Sequence, residues 1–241
     1  MPSKLDFKTT SFDVDGRISQ LEFSMETINS GNPVIGIKIK EGIIIATGKN
    51  DLPYYSDSFQ FSTKIFLLEE NIFCAITGSN PDAQALVDNG RIQAQQFKQT
   101  FQEIIPLKKI VNIICDIKQK FTQTGGKRPF GTSLIIGGFD SVNGFQIFRT
   151  EPSGNYSEWK AVAVGSNSIT NQAILDEEFK IDLTLEDALK LILKIFYKKI
   201  KSFKLSNRIE IFILKHDDKQ KIVINCLSPK EIDSLVKNNC N

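Results

Sequence analysis

The chain has 241 residues, of which 41% are hydrophobic and 24% are charged, and its net charge is +2 at pH 7. This length fits one large α/β domain or two small ones, with enough apolar residues for a sizeable core. The small net charge excludes a strong electrostatic attraction to nucleic acid or to an anionic membrane. No apolar run approaches the roughly 18 residues of a membrane-spanning helix, and the N-terminus lacks the apolar segment of a signal peptide.

The cysteines indicate a reducing compartment. They are Cys74, Cys115, Cys226 and Cys240, and none of them belongs to a CxxC pair or lies near a histidine. A zinc site is therefore not expected. Reduced thiols are typical of a cytosolic or nuclear protein.

The first predicted helix runs from Asp15 to Asn29, with Asp15 as its N-cap. Its apolar residues recur at intervals of three and four and form one stripe, which consists of Ile18, Leu21, Met25 and Ile28. Residues 1–14 in front of it are polar and irregular, and we predict that they form a flexible tail.

A series of strands is predicted after this helix. Residues 32–39 alternate and predict a strand with one buried face, whereas the continuous apolar run 43–46 predicts a strand covered on both faces. Lys40-Glu41-Gly42 between them predicts a hairpin turn. Further strands are predicted near residues 63–68, 72–77, 132–137, 144–150, 159–164, 209–214 and 221–225.

Helical periodicity predicts five further helices. They cover 80–98, 107–121 and 168–179, and two more begin at Thr184 and Ser228. The last two have capping boxes, in which Thr184 pairs with Asp187 and Ser228 with Glu231.

The order of these elements predicts the fold class. β-rich segments alternate with pairs of helices, and the βαβ alternation of a parallel doubly wound sheet is missing. We therefore predict an α+β fold in which two antiparallel sheets are stacked between helix pairs. No linker divides residues 15–241, which we predict to be a single domain.

Complete sets of catalytic or cofactor-binding residues are missing from the sequence. The only histidine, His216, lies beside Asp217 in a predicted turn, which argues against serine catalysis, cysteine catalysis and metal binding. Gly125-Gly126-Lys127 lacks the full spacing of a phosphate-binding loop. We predict no metal site and no cofactor.

Four segments resemble proteasome alpha-type subunits. The first combines Asp15-Gly16-Arg17 with Gln20-Leu21-Glu22-Phe23, the second is the Arg-Pro-x-Gly loop within residues 123–134, and the third covers residues 145–161. Together with Cys115-Asp116-Ile117-Lys118-Gln119, they are most similar to the third alpha subunit of the eukaryotic core particle. The resemblance extends over nearly the whole chain.

The resemblance implies a four-layer αββα sandwich of the N-terminal-nucleophile hydrolase type and a place in the seven-membered alpha ring of the 20S proteasome. Neighbouring alpha subunits would be contacted in part through the stripe of Ile18, Leu21, Met25 and Ile28. The other expected partners are beta-ring subunits, C-terminal tails of regulatory ATPases or other activators, and unfolded polypeptides in transit, but neither nucleic acid nor a membrane. The expected role is ubiquitin-dependent protein degradation in the cytoplasm and nucleus.

The resemblance also implies that the chain is not an enzyme. Catalytic beta subunits use an N-terminal threonine, an aspartate and a lysine, and the matching positions here hold Asn32, Gly48 and Lys64. Without a hydroxyl nucleophile and a free α-amine as its base, no acyl transfer is expected. Lys64 has a second role in the family, where it lies in a pocket between alpha subunits and pairs with the C-terminal carboxylate of activator tails. An ordinary surface lysine is the alternative.

The N-terminal tail, residues 1–14, corresponds to the gate over the substrate entrance in that family. The gate positions here hold Leu5, Asp6, Phe7, Val14 and Phe23, whereas relatives carry Tyr-Asp-Arg, a proline and a second tyrosine. Only Asp6 matches. The hydrogen-bonded cluster that holds an open gate in relatives is therefore incomplete in this chain.

Two other interpretations remain open. A catalytic beta-type threonine peptidase would need cleavage before a threonine that opens the first strand, but Asn32-Pro33 occupies this site. The other is a proteasome-like module that assembles outside the core particle.

Overall fold

The computed structural model describes residues 11–49, 63–200, 208–217 and 221–239. The strands in these ranges are β1 (Val34–Ile39), β2 (Gly42–Gly48), β3 (Ile65–Glu69), β4 (Ile72–Gly78), β5 (Thr132–Asp140), β6 (Gly144–Thr150), β7 (Tyr156–Trp159), β8 (Ala161–Val164), β9 (Ile209–His216) and β10 (Ile222–Cys226). The helices are α1 (Ser19–Ser30), α2 (Asn80–Phe101), α3 (Leu107–Gln123), α4 (Ser168–Glu178), α5 (Leu185–Ile200) and α6 (Pro229–Asn239). Within the same ranges, no helix combines the length and the apolar character needed to cross a membrane.

The strands form two five-stranded antiparallel sheets. The first sheet has the order β10-β9-β2-β1-β8, and the second has the order β3-β4-β5-β6-β7. The hairpin predicted from Lys40-Glu41-Gly42 joins β1 and β2 in the first sheet, which also contains the antiparallel pair β9–β10. The predicted α+β fold with two antiparallel sheets between helix pairs is confirmed.

Three layers of apolar side chains hold the sandwich together. One layer lies between the first sheet and helices α4, α5 and α6, a second between the second sheet and helices α2 and α3, and a third between the two sheets. Strand β2 serves two of them, because Ile44 and Ala46 face the helices while Ile43 and Ile45 face the other sheet. Its continuous apolar run therefore reflects burial on both faces.

Helix α1 begins later than the sequence predicts. Asp15 is not its N-cap, because the residues before the helix form a turn in which the Asp13 carboxylate accepts hydrogen bonds from the backbone N–H groups of Arg17 (2.7 Å) and Asp15 (3.0 Å). The cap position is Ile18, which has extended backbone and no capping side chain. Asp13, two positions before the predicted cap Asp15, thus binds the backbone N–H groups of this turn.

The single strand predicted near residues 159–164 is two strands in different sheets. Strand β7 pairs with β6 at the edge of the second sheet, and β8 pairs with β1 at the edge of the first. Between them the carbonyl of Lys160 accepts a hydrogen bond from the backbone N–H of Lys38 (2.7 Å). The change from exposed Tyr156–Glu158 to buried Ala161–Val164 marks this crossing.

Both predicted capping boxes are present. The Thr184 hydroxyl accepts a hydrogen bond from the backbone N–H of Asp187 (3.2 Å) at the start of α5. At the start of α6, the Glu231 carboxylate accepts a hydrogen bond from the backbone N–H of Ser228 (2.7 Å). These bonds satisfy N–H groups that have no partner within the helix.

A lysine is fully buried between α3 and the second sheet. The ammonium group of Lys118 donates hydrogen bonds to the Thr150 hydroxyl (2.9 Å) and to the Thr132 carbonyl (3.1 Å), which are both neutral acceptors. Burial lowers the pKa of Lys118 to about 8. The folded chain therefore releases this proton more readily than the unfolded chain.

We expect Lys118→Met to remove part of the pH dependence of stability. Below about pH 8 the folded and the unfolded chain both carry the Lys118 proton, and the buried charge destabilises the folded chain to its full extent. Between about pH 8 and the ordinary lysine pKa of 10.5, the unfolded state binds more protons, so this one group should raise the wild-type free energy of unfolding by about 3 kcal/mol. Urea unfolding of both proteins across this range measures the difference, in which the titrations of groups that do not interact with Lys118 cancel.

The control for this prediction is Lys120→Met, which removes an exposed lysine from the same helix. It should leave the pH dependence of stability unchanged. If the free energy of unfolding had the same pH dependence in wild type and in Lys118→Met, the lowered pKa of Lys118 would be contradicted.

Candidate functional site

A pocket of about 390 Å³ opens at the end of the sandwich where α1 joins β1. Its walls come from the C-terminal end of α1, the link to β1, the residue before β3, the end of β4 and the start of α2. The lining residues are Thr27, Ser30, Gly31, Asn32, Lys64, Ile76, Thr77, Gly78, Ser79 and Asn80. Two of the three positions matched to catalytic residues, Asn32 and Lys64, therefore face one cavity.

Lys64 is a buried residue of this pocket and not an ordinary surface lysine. Only 5% of it is exposed, and its ammonium group donates a hydrogen bond to Asn80 Oδ1. Its backbone N–H donates to the Glu210 carboxylate (2.9 Å). Burial lowers the pKa of Lys64, and the negative charge of Glu210 acts in the opposite direction.

The link formed by Gly31 and Asn32 is held by backbone contacts on both sides. The Thr77 hydroxyl donates to the Asn32 carbonyl (2.7 Å), and the backbone N–H of Ser166 donates to the Gly31 carbonyl (2.9 Å). A Cβ atom on Gly31 would lie 2.6 Å from the backbone nitrogen of Gly78. Glycine is needed at position 31 because the two backbones approach so closely.

The aspartate position of the catalytic pattern holds a glycine in tightly packed surroundings. Gly48 ends β2, and its N–H donates to the Pro33 carbonyl (3.0 Å). A Cβ atom there would lie 3.3 Å from Pro33 Cδ. With an internal asparagine at the nucleophile position and a glycine at the aspartate position, the site lacks the groups needed for acyl transfer.

The stripe of α1 divides into two parts. Ile28 is 1% exposed and Met25 packs beside it, both against the core between the sheets. Ile28 is therefore a core residue of the chain itself, which corrects its assignment as a ring contact. Ile18 and Leu21 are partly exposed and remain the candidates for such a contact.

Two of the five gate positions lie within the described residues. Leu5, Asp6 and Phe7 lie outside the described residues, whereas Val14 and Phe23 are exposed. The structure places neither Val14 nor Phe23 in the Lys64 pocket.

Sequence reasoning missed the two side chains that bind Lys64. Asn80 follows the predicted cap of α2, where it looks like a routine helix-start residue. Glu210 lies within the apolar strand β9, and 5% of it is exposed. A lone acidic residue in an otherwise apolar strand is the signal that could have identified it.

The Arg-Pro-x-Gly loop fixes the start of α2, which forms one wall of the pocket. The two oxygens of Asp82 accept hydrogen bonds from the Arg128 guanidinium at 2.6 and 2.7 Å, and one of them also accepts from the Gly131 N–H at 2.9 Å. The hydrogen bonds from Arg128 are the main reason that the pKa of Asp82 is lowered. Asp82 thereby ties the loop to the turn that carries Asn80.

The fold and the site together define a non-catalytic chain with the architecture of N-terminal-nucleophile hydrolases. The family model described as "Proteasome subunit" matches residues 28–214. Proteasome subunit alpha type-4 of Petunia hybrida is 34% identical over 240 residues, which cover 98% of this chain and 95% of the relative. The probable proteasome subunit alpha type-3 of Schizosaccharomyces pombe is 35% identical over 238 residues, with 98% and 96% covered.

A similar match extends to an animal protein. Proteasome subunit alpha type-4 of Drosophila melanogaster is 35% identical over 243 residues, which cover 98% of this chain and 91% of the relative. The chain therefore belongs to the proteasome subunit family, as a non-catalytic alpha-type subunit. This membership implies assembly with other proteasome subunits in a ring.

We expect Asp82→Asn to lower the free energy of unfolding by about 1–3 kcal/mol at neutral pH, because a buried charge-assisted acceptor is lost. The pKa of Asp82 is lowered in the folded chain, so its contribution is complete above the ordinary carboxyl pKa and is lost as the pH falls below it. The difference between variant and wild type should therefore shrink in acid. Urea unfolding at several pH values tests both expectations.

Asp88→Asn is the matched control on the same helix. Asp88 forms an exposed ion pair with Arg91 (3.4 Å), and such pairs contribute little. If Asp88→Asn lowered the free energy of unfolding as much as Asp82→Asn does, the importance of the contact between Asp82 and Arg128 would be contradicted.

Proposed function

We propose that this chain is a scaffold subunit of the alpha ring of a 20S proteasome, that residues 1–14 contribute to the gate over the substrate entrance, and that the Lys64 pocket receives the C-terminal carboxylate of an activator tail. The observation that carries the pocket assignment is the buried Lys64 ammonium group in a cavity at the end of the sandwich. The setting is ubiquitin-dependent protein degradation in the cytoplasm and nucleus.

The chemistry of the pocket suits a carboxylate. An ammonium group in a partly desolvated cavity attracts a carboxylate more strongly than one in open water does. Helix α2 begins at the pocket wall with Asn80, so the positive end of its dipole acts in the same sense as Lys64. A peptide that ends in a free carboxylate matches both features.

Exposed apolar residues near α1 support the contact with ring neighbours. Phe12 is 67% exposed and Phe23 is 54% exposed, and the partly exposed Ile18 and Leu21 belong to the same segment. Apolar surface of this kind is typical of an interface. The proposed partners on this side are neighbouring alpha subunits, while beta-ring subunits and the translocating polypeptide contact other faces of the subunit.

Purification from the native source tests the assembly proposal. We expect this chain to co-purify with six other alpha-type and seven beta-type chains, and its intact mass to show that residues before Asn32 are retained. A chain that begins at residue 32 would instead support the beta-type peptidase. Association with other partners and no core-particle subunits would support a module outside the core particle.

The pocket assignment is tested by Lys64→Met in the assembled particle. The probe is a short photo-crosslinking peptide with the C-terminal sequence of a regulatory ATPase, and the readout is its concentration-dependent crosslinking to this chain. We expect an affinity at least about tenfold lower than that of wild type, because a charge-assisted hydrogen bond is lost.

Two controls accompany this measurement. Lys230→Met removes an exposed lysine at the start of α6 and should leave the affinity unchanged. The same peptide with an amidated C-terminus should bind wild type weakly and should not distinguish wild type from Lys64→Met. Equal affinity of wild type for the free and the amidated peptide would contradict the carboxylate assignment.

A further inference from the structure

Glu210 connects the two sheets at the position that carries Lys64. Glu210 belongs to β9 of the first sheet, whereas Lys64 immediately precedes β3 of the second sheet. The carboxylate of Glu210 accepts a hydrogen bond from the backbone N–H of Lys64 at 2.9 Å, and both residues are 5% exposed. A buried carboxylate without such a partner would be strongly destabilising.

This hydrogen bond completes the fixation of the Lys64 backbone. The carbonyl of Lys64 accepts a hydrogen bond from the backbone N–H of Ile76 on β4 (3.0 Å). The N–H group is thus held by the first sheet and the carbonyl by the second. With both backbone groups held, the side chain is directed across the pocket to Asn80 at the start of α2.

The charge of Glu210 also acts on the ammonium group. Burial lowers the pKa of Lys64, and the nearby carboxylate is the interaction that opposes this effect. Burial raises the pKa of Glu210 itself, whereas its hydrogen bonds and the charges of Lys49 and Lys64 lower it. Burial raises the pKa of Cys226, and the negative charge of Glu210 raises it further.

We propose that Glu210 is the positioning residue of the tail-binding pocket, because its buried carboxylate fixes the backbone of Lys64 and places a negative charge near the ammonium group that would receive an incoming carboxylate. This inference depends on the proposed function of the pocket. It adds a residue, distant in sequence from Lys64, that is not among the residues lining the pocket.

The test separates the two roles of Glu210 in the assembled particle, with the crosslinking peptide described above. Glu210→Gln keeps an oxygen acceptor for the Lys64 N–H but removes the negative charge. Since the pKa of Lys64 then falls further, binding to Glu210→Gln should decline at a lower pH than binding to wild type when the pH is raised stepwise through the alkaline range. Glu210→Leu removes the acceptor as well and should weaken binding about tenfold or more across the whole range.

A control variant and a check of assembly accompany the binding measurement. Glu158→Gln removes an exposed carboxylate that pairs with Lys38 (3.4 Å), and it should leave the pH profile of binding unchanged. Recovery of the assembled particle from each variant shows that the chain has folded, and Glu210→Gln alone suffices if Glu210→Leu does not assemble.

The possible results distinguish the two proposals. A pH profile of Glu210→Gln that coincides with wild type, or tighter binding at every pH because a repelling charge is removed, would overturn the role of Glu210. If Lys64→Met binds the free-carboxylate peptide as well as wild type does, the pocket assignment itself fails. Loss of binding in Lys64→Met with an unchanged profile in Glu210→Gln would leave the pocket assignment standing and reject only the inference about Glu210.

Discussion

The insertion of α1 into the end of the core between the sheets is the constraint on which the site depends. Ile28 is fully buried there, which contributes roughly 2 kcal/mol and fixes the position of the helix. The chain must then enter β1 through the narrow space beside Gly78 and Gly165, where a Cβ atom on Gly165 would lie 2.2 Å from the Asn32 carbonyl. The position matched to a catalytic nucleophile is therefore occupied by the middle of a continuous chain.

The same insertion creates the walls of the pocket. Thr27 and Ser30 come from the last turns of α1, while Lys64 and Asn80 come from the second sheet and from the helix that follows it. The remaining support lies outside the pocket: Asp82 and Arg128 fix the start of α2, and Glu210 holds the backbone of Lys64. The walls at Lys64 and at the start of α2 are thus each fixed by a buried carboxylate, and such contacts are costly to leave incomplete.

Local patterns in the sequence predicted most of the elements but not their long-range arrangement. The periodicity of α3 and the capping boxes of α5 and α6 depend on residues three or four apart, so the sequence is enough to recognise them. The division of residues 156–164 between two sheets depends on which partner strand lies at each edge, and no local pattern contains this information. Gly90 looks unfavourable inside α2, yet a Cβ atom there would lie 3.3 Å from Ile114 Cδ1, so glycine allows α2 to pack closely against α3.

The candidate site shows the same limit. Lys64, Asn32 and Gly48 could be matched to a known pattern, and two of them do face one pocket. The sequence did not identify Asn80 and Glu210 as the partners of Lys64, because one comes from the next helix and the other from a strand of the opposite sheet. A lysine is useful without the rest of a catalytic set, since an ammonium group can bind a carboxylate by itself. The aspartate position has no such independent use, and a side chain there would pack tightly against Pro33. Loss of acyl-transfer chemistry is therefore compatible with a functional lysine in the same cavity, and this is the physical basis for assigning binding, not catalysis, to the pocket.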